Sequence, residues 1–304
     1  RNIYHHPCTH HVYRYVVFVL LMVGASLIWS SNVFNGLDIL FKLALLAGTF
    51  VLVRSEDTQE VLLGMGWGLA VNAILLVGQW MPGGATFVNP NFLAEAAAPV
   101  LVGLVCLRRW ALACAPALCL AYTGTRGALV GLAAAGITYA WGRSRALGIL
   151  LIFGSACAAL LMVGAGYRLE SAAIRLAVWK DALANLTLFG HGLGSVYTDF
   201  PGTNHLHNDA LEMVYDLGVG SIAFFGIVVL ALQVKMLPER LVLVTLLAEG
   251  CFGFPLHMPA TGFLLACVAG VLCHQRTHLR AGVFEGRELL LPRNHSILPR
   301  GRAF

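Results

Sequence analysis

Long apolar runs separated by short polar breaks make up most of this chain. They lie near 13–30, 33–53, 60–80, 91–107, 110–123, 127–142, 146–166, 208–234, 240–254 and 259–274. Most have the roughly 15–22 residues that a helix needs to cross a hydrocarbon core. Strands of a membrane barrel would instead alternate polar and apolar positions over short segments, and the sequence shows no such alternation. The pattern predicts an all-α polytopic integral membrane bundle of about ten transmembrane helices, with residues 1–274 forming a single membrane domain. The runs at 110–123 and 127–142 are short enough to form a re-entrant hairpin. The first run, Tyr13 to Trp29, is followed at once by another apolar span and lacks a small-residue cleavage pattern, so it reads as a retained helix and not as a leader. Because the chain begins at Arg1 and not at Met, it reads either as a processed product or as a fragment that lacks helices upstream.

One polar stretch is long. Within 167–207, Ser171 is placed to cap a helix running from about Ala172 to Asn185. On that helix Ile174, Val178 and Leu186 form an apolar side, while Arg168, Arg175 and Trp179 recur along a neighbouring stripe. This predicts an interfacial helix with a cationic edge. The tail, 275–304, is basic, contains prolines and is weakly periodic, which predicts disorder or attachment to anionic lipid.

Composition sharpens the class. Hydrophobic residues are 58% of the chain and charged residues 12%, about half the usual charge of a soluble domain. Seven of the eight cysteines lie in or at the ends of apolar spans, where they act as small hydrophobes and imply no disulfide framework. The histidine-rich stretch His5-His6-Pro7-Cys8-Thr9-His10-His11 fits no standard zinc spacing. No metal, cofactor or nucleic acid is expected.

Lys and Arg set the orientation, because short cytoplasmic loops hold the excess of positive charge. With both termini inside, Arg14, Arg54, Arg108, Arg109, Arg143, Arg145, Lys235, Arg240 and the tail fall on one side. Arg126, Arg168, Arg175 and Lys180 fall on the other, against the bias. So do four polar segments: Asn89 to Phe92, Thr123 to Gly127, the loop 167–207, and Phe254 to His257. Their convergence predicts a site at the outer membrane surface.

His207 is the candidate proton acceptor there, since it opens an apolar span and titrates near neutrality. Asn208, His205 and Arg175 are close to it in sequence. Asp209, Glu212 and Asp216 share one helix face, and carboxylates within a span are costly without a cavity or a partner. Glu212 and Asp216 are therefore expected to orient a histidine, to hold substrate hydroxyls, or to pair with an arginine. Arg126, in a tight turn after Gly124, suits bidentate phosphate binding, as does Arg175. Asn89-Pro90-Asn91 reads as a helix start with Asn91 as cap and as a possible substrate contact. Gly190-His191-Gly192-Leu193-Gly194 follows no strand and is read as a turn leading back to the site.

Taken together, Asn89-Pro90-Asn91-Phe92-Leu93-Ala94, Thr123 to Leu129, Arg175 with Trp179, Gly190 to Gly194, His207-Asn208 with Leu211, Asp216-Leu217-Gly218 and Phe254-Pro255-Leu256 resemble the O-antigen ligase and polymerase family of bacterial inner-membrane glycan transferases. The resemblance implies transfer of a glycan from an undecaprenyl diphosphate carrier to an acceptor hydroxyl at the periplasmic face, without metal or nucleotide. It implies His207 as general base and Arg126 and Arg175 as the diphosphate clamp. Asn91, Arg168, Trp179, His205, Asn208, Glu212 and Asp216 would bind substrate. The acceptor would be lipid A core for a ligase, the growing glycan for a polymerase, or a protein Ser or Thr. The family usually has Glu where this chain has Asp216, which keeps the charge and shortens its reach. The competing class is a lipid-linked glycan transporter, which would gain from Lys42 lining a central cavity with Glu95 and Glu249.

Overall fold

The computed structural model describes residues 7–53, 57–78, 85–87, 89–164, 169–203, 205–232, 237–253, 255 and 257–271. Arg168, Lys235, Phe254, Leu256 and the tail 275–304 lie outside the described residues.

The protein is all-α, with no strand among the described residues. In chain order its helices are α1 (Pro7–Ala25), α2 (Val33–Leu52), α3 (Asp57–Val77), α4 (Pro90–Cys106), α5 (Trp110–Thr123), α6 (Arg126–Arg143), α7 (Arg145–Gly164), α8 (Leu169–Ala184), α9 (Val196–Asp199), α10 (Asp209–Leu217), α11 (Ser221–Leu232), α12 (Leu237–Gly250) and α13 (Pro259–Val271). Val33–Leu52 and Thr58–Val77 are each long and apolar enough to cross a membrane, and five shorter apolar helices accompany them.

α4 is the hub, packing against α3, α5, α6 and α12. Its sequence explains why. The run Ala94 to Ala98, with Glu95 set within it, keeps the helix thin, so neighbours approach from several sides and the run is buried throughout. Elsewhere Gly103 of α4 receives Leu62 of α3, and Gly131 of α6 lies against Thr245 and Glu249 of α12. α4, α5 and α6 run alternately up and down. The turn at Arg108-Arg109 and the α6 C-terminus at Arg143 therefore stand at one end, with Asn89 and Thr125 at the other. The 17 residues of α4 put about 25 Å between those ends.

Three local expectations are corrected. The apolar run 208–234 is not one helix. α10 stops at Leu217 because Gly218 takes a φ of 55°, a short 3-10 turn follows, and α11 restarts at Ser221. The cap of α4 is Asn89 and not Asn91: the Asn89 side chain accepts from the Asn91 amide at 2.9 Å, with Pro90 at the first helical position, where its missing N–H costs nothing. Ser171 is not a cap either, because α8 begins at Leu169 and encloses it.

Candidate functional site

At the Asn89 end of the bundle lies a cavity of about 580 Å³, within the ~300–1,000 Å³ typical of small-molecule sites. Its walls come from separate parts of the chain. The start of α4 gives Asn91 and Glu95, and the α5–α6 turn gives Thr125 and Arg126. α8 gives Arg175 and Trp179, the segment before α10 gives His207, and the turn after α12 gives Phe252. Each is held by local chemistry. Gly124, at φ 59°, closes α5 in the left-handed conformation and lets Arg126 open α6 at once. The Thr125 hydroxyl donates to Asn91 Oδ1 at 3.1 Å, tying the α5–α6 turn to α4. Arg175 Nη1 donates to the Phe252 carbonyl at 2.6 Å. Trp179, one turn further along α8, donates its indole N–H to the Leu206 carbonyl at 2.7 Å and so fixes the residue before His207.

The cavity's electrostatics favour an anion. Burial and then the neighbouring charge of Arg126 lower the pKa of Arg175, opposed by Glu95. A guanidinium stays charged under such a shift. Two like charges close enough to oppose each other are relieved by a polyanion between them. His207 is pushed down to about 4, first by burial, then by Arg175 and His205, with Glu212 opposing. Its imidazole is therefore neutral at pH 7 and has a lone pair to accept a proton.

Behind His207 is a buried polar cluster. Glu212 Oε1 meets His205 Nδ1 at 3.0 Å and His257 Nε2 at 3.2 Å, and Glu212 Oε2 accepts from the Leu206 amide at 2.9 Å. His257 Nδ1 reaches Asp209 Oδ1 at 3.1 Å. Set between two carboxylates with both ring nitrogens engaged, His257 serves as a double donor. Burial opposes its charge, but Glu212 and Asp209 override that and hold its pKa well above the ordinary histidine value. His205, Glu212 and His257 each offer one metal-ligand atom, all within 4.8 Å of one another. Those atoms already satisfy each other by hydrogen bonds.

Of the residues singled out from sequence, Asn91, Arg126, Arg175, Trp179 and His207 line the cavity. His205, Asn208, Glu212 and Asp216 are not among its lining residues. Asn208 caps α10, accepting from the Leu211 amide at 2.9 Å. Glu212 orients histidines. Asp216, 2% exposed, accepts from the Gly194 amide at 2.7 Å and pins the glycine loop. Arg168 lies outside the described residues. Lys42 pairs with Asp38 at 2.5 Å on an exposed face of α2, whereas Glu95 and Glu249 are buried.

Sequence reasoning passed over Phe252, took His257 only as the end of the segment from Phe254, and took Glu95 only as a partner of Lys42 in the transporter reading. Asp209 and Glu212, one turn apart on a single helix face, were the signal for a cationic partner such as His257. Glu95 carried its own signal as a carboxylate in an alanine run. No protein-family model matches the chain, and no curated protein matches it either.

Proposed function

We propose that the protein is a polytopic membrane bundle of about ten spans that transfers a glycan from an undecaprenyl diphosphate carrier to an acceptor hydroxyl at the periplasmic face. Membrane residence is supported by the outward faces of the helices. Phe34, Leu52, Val77, Leu150 and Phe153 are at least 66% exposed, an apolar surface that water does not favour.

The observation that carries the reading is the meeting of Arg126, Arg175 and a neutral His207 in one cavity, though they come from a helical turn, a separate helix and a loop. The arginines take the diphosphate. His207 removes the acceptor hydroxyl proton as the oxygen attacks the anomeric carbon. The bond from that carbon to the diphosphate oxygen breaks, and the electron pair leaves with the lipid diphosphate, where the guanidiniums offset the growing charge. Glu212, through His205 and the Leu206 amide, keeps the histidine segment in place. We favour a ligase acting on lipid A core; a polymerase extending the same glycan and a protein oligosaccharyltransferase use the same site. The transporter reading loses its intramembrane cation, because Lys42 sits with Asp38.

The test is transfer by purified protein from an undecaprenyl diphosphate glycan, with lipid A core or the same lipid-linked glycan as acceptor. Wild type should form product, and His207→Ala, Arg126→Ala and Arg175→Ala should lose at least about a hundredfold, the scale of one general base or oxyanion-type group. Product formed equally by all three variants would exclude this site. The acceptor that works names the subtype.

A further inference from the structure

Glu95 has no part in the chemistry above, yet its position requires an explanation. It lies on α4 in a run of alanines, is 5% exposed, and lines the cavity that holds Arg126, Arg175 and His207. Its Oε2 has no hydrogen-bond partner among the described residues. A side chain added at Gly253 would press on the Glu95 carboxylate, so the turn after α12 is shaped to accept it. The same turn is held by Arg175, which donates to the neighbouring Phe252 carbonyl.

A buried carboxyl oxygen without a partner is costly, and the cost is removed when a ligand brings a hydroxyl or N–H to it. We propose that Glu95 is a specificity residue for the donor, accepting a hydrogen bond from a hydroxyl or amide N–H of the sugar that carries the diphosphate. The inference rests on the glycan-transfer reading and deepens it. If the arginines fix the diphosphate, the ring attached to it is the nearest donor-rich group within reach of another wall of the same cavity. Glu249, the neighbouring buried carboxylate on α12, is fully buried and does not line the cavity, so it cannot take this role. A buried carboxyl oxygen at this place selects polyol or acetamido sugars and gains nothing from the lipid diphosphate alone.

The measurement is binding, in nanodiscs, of two probes: undecaprenyl diphosphate and undecaprenyl diphosphate N-acetylglucosamine. Wild type should bind the sugar-bearing probe about tenfold more tightly, the size of one hydrogen bond to a buried acceptor. In Glu95→Leu the ratio should fall to about one. In Glu95→Gln, which keeps one acceptor oxygen, it should be intermediate. A ratio near one in wild type, or a ratio preserved in Glu95→Leu, overturns the role of Glu95 and leaves the transfer reading standing. Loss of both probes in both variants would assign Glu95 to holding the fold and likewise overturn the proposal. Failure of wild type to bind either probe would instead remove the lipid diphosphate reading, and Glu95 with it.

Discussion

His207 has a φ of 53°, in the left-handed region that a bulky side chain seldom occupies. Strain of this kind persists where the surroundings fix it, here the Asn208 cap that follows and the Trp179 bond to the Leu206 carbonyl that precedes. Its acidity carries a second consequence. A base held near 4 by burial and Arg175 is neutral at pH 7 but weak. A diphosphate bound to Arg175 cancels part of that cationic field and makes the same imidazole more basic in the complex. The acid limb of kcat/KM, which reports the free protein, should therefore fall near pH 4, and the acid limb of kcat at a higher pH. Coincident limbs would separate His207 from the field of Arg175. At the neighbouring cluster, Glu212→Gln leaves His257 charged without its full set of acceptors and should cost about 3–5 kcal/mol in denaturant unfolding. Excess chelator should leave activity intact; loss restored by a divalent ion would make His205, Glu212 and His257 a metal centre.

At the scale of elements, the glycine loop shows what spacing can and cannot tell. Gly190, Gly192 and Gly194 all have positive φ, and the loop threads between the end of α10 and the approach to α2. The His191 and Gly192 amides donate to the carbonyls of Tyr215 and Asp216 at 2.9 Å, and Ser30 Oγ donates to the Leu193 carbonyl at 2.8 Å. A Cβ at Gly192 would stand 2.5 Å from Ser30 Cα. Gly192→Ala should therefore destabilise by at least ~1–3 kcal/mol. Gly136→Ala, in α6 with nothing near the added carbon, should stabilise by about 0.5–1 kcal/mol. Thermal unfolding of both variants checks the contrast, and equal midpoints would show that the loop yields. The sequence identified these glycines as a turn because nothing in them matched a nucleotide fold. What they turn against depends on contacts more than 150 residues away, such as Ser30 with Leu193, which no local pattern encodes. The break at Gly218 was missed for a related reason: Val219 and the apolar run beyond it keep the average hydropathy high across a backbone that has changed direction.

For the whole molecule, the contrast between polar and apolar stretches carried the most information. The segments containing Asn91, Arg126, Arg175 and His207 stood out because each interrupts hydrocarbon, and all four line one cavity. Glu95 entered only through the transporter reading and not as part of this site, since window averages dilute a single carboxylate among alanines. The same up-and-down run of α4, α5 and α6 separates two sets of cations. Arg126 faces the cavity end, while Arg108, Arg109 and Arg143 stand about 25 Å away at the opposite end, close to the thickness of a bilayer's hydrocarbon core. If the positive-inside rule governs this chain, the opposite end is cytoplasmic and the cavity opens outward. An impermeant thiol reagent added to intact cells should then label a cysteine placed at Thr203 but not one at Gly142, which adjoins Arg143. The reverse result would put the cavity inside, where its arginines would follow the charge bias and need no ligand to account for them. Outward labelling leaves Arg126 and Arg175 as cations retained against that bias, and an anionic substrate is then the simplest physical reason for them.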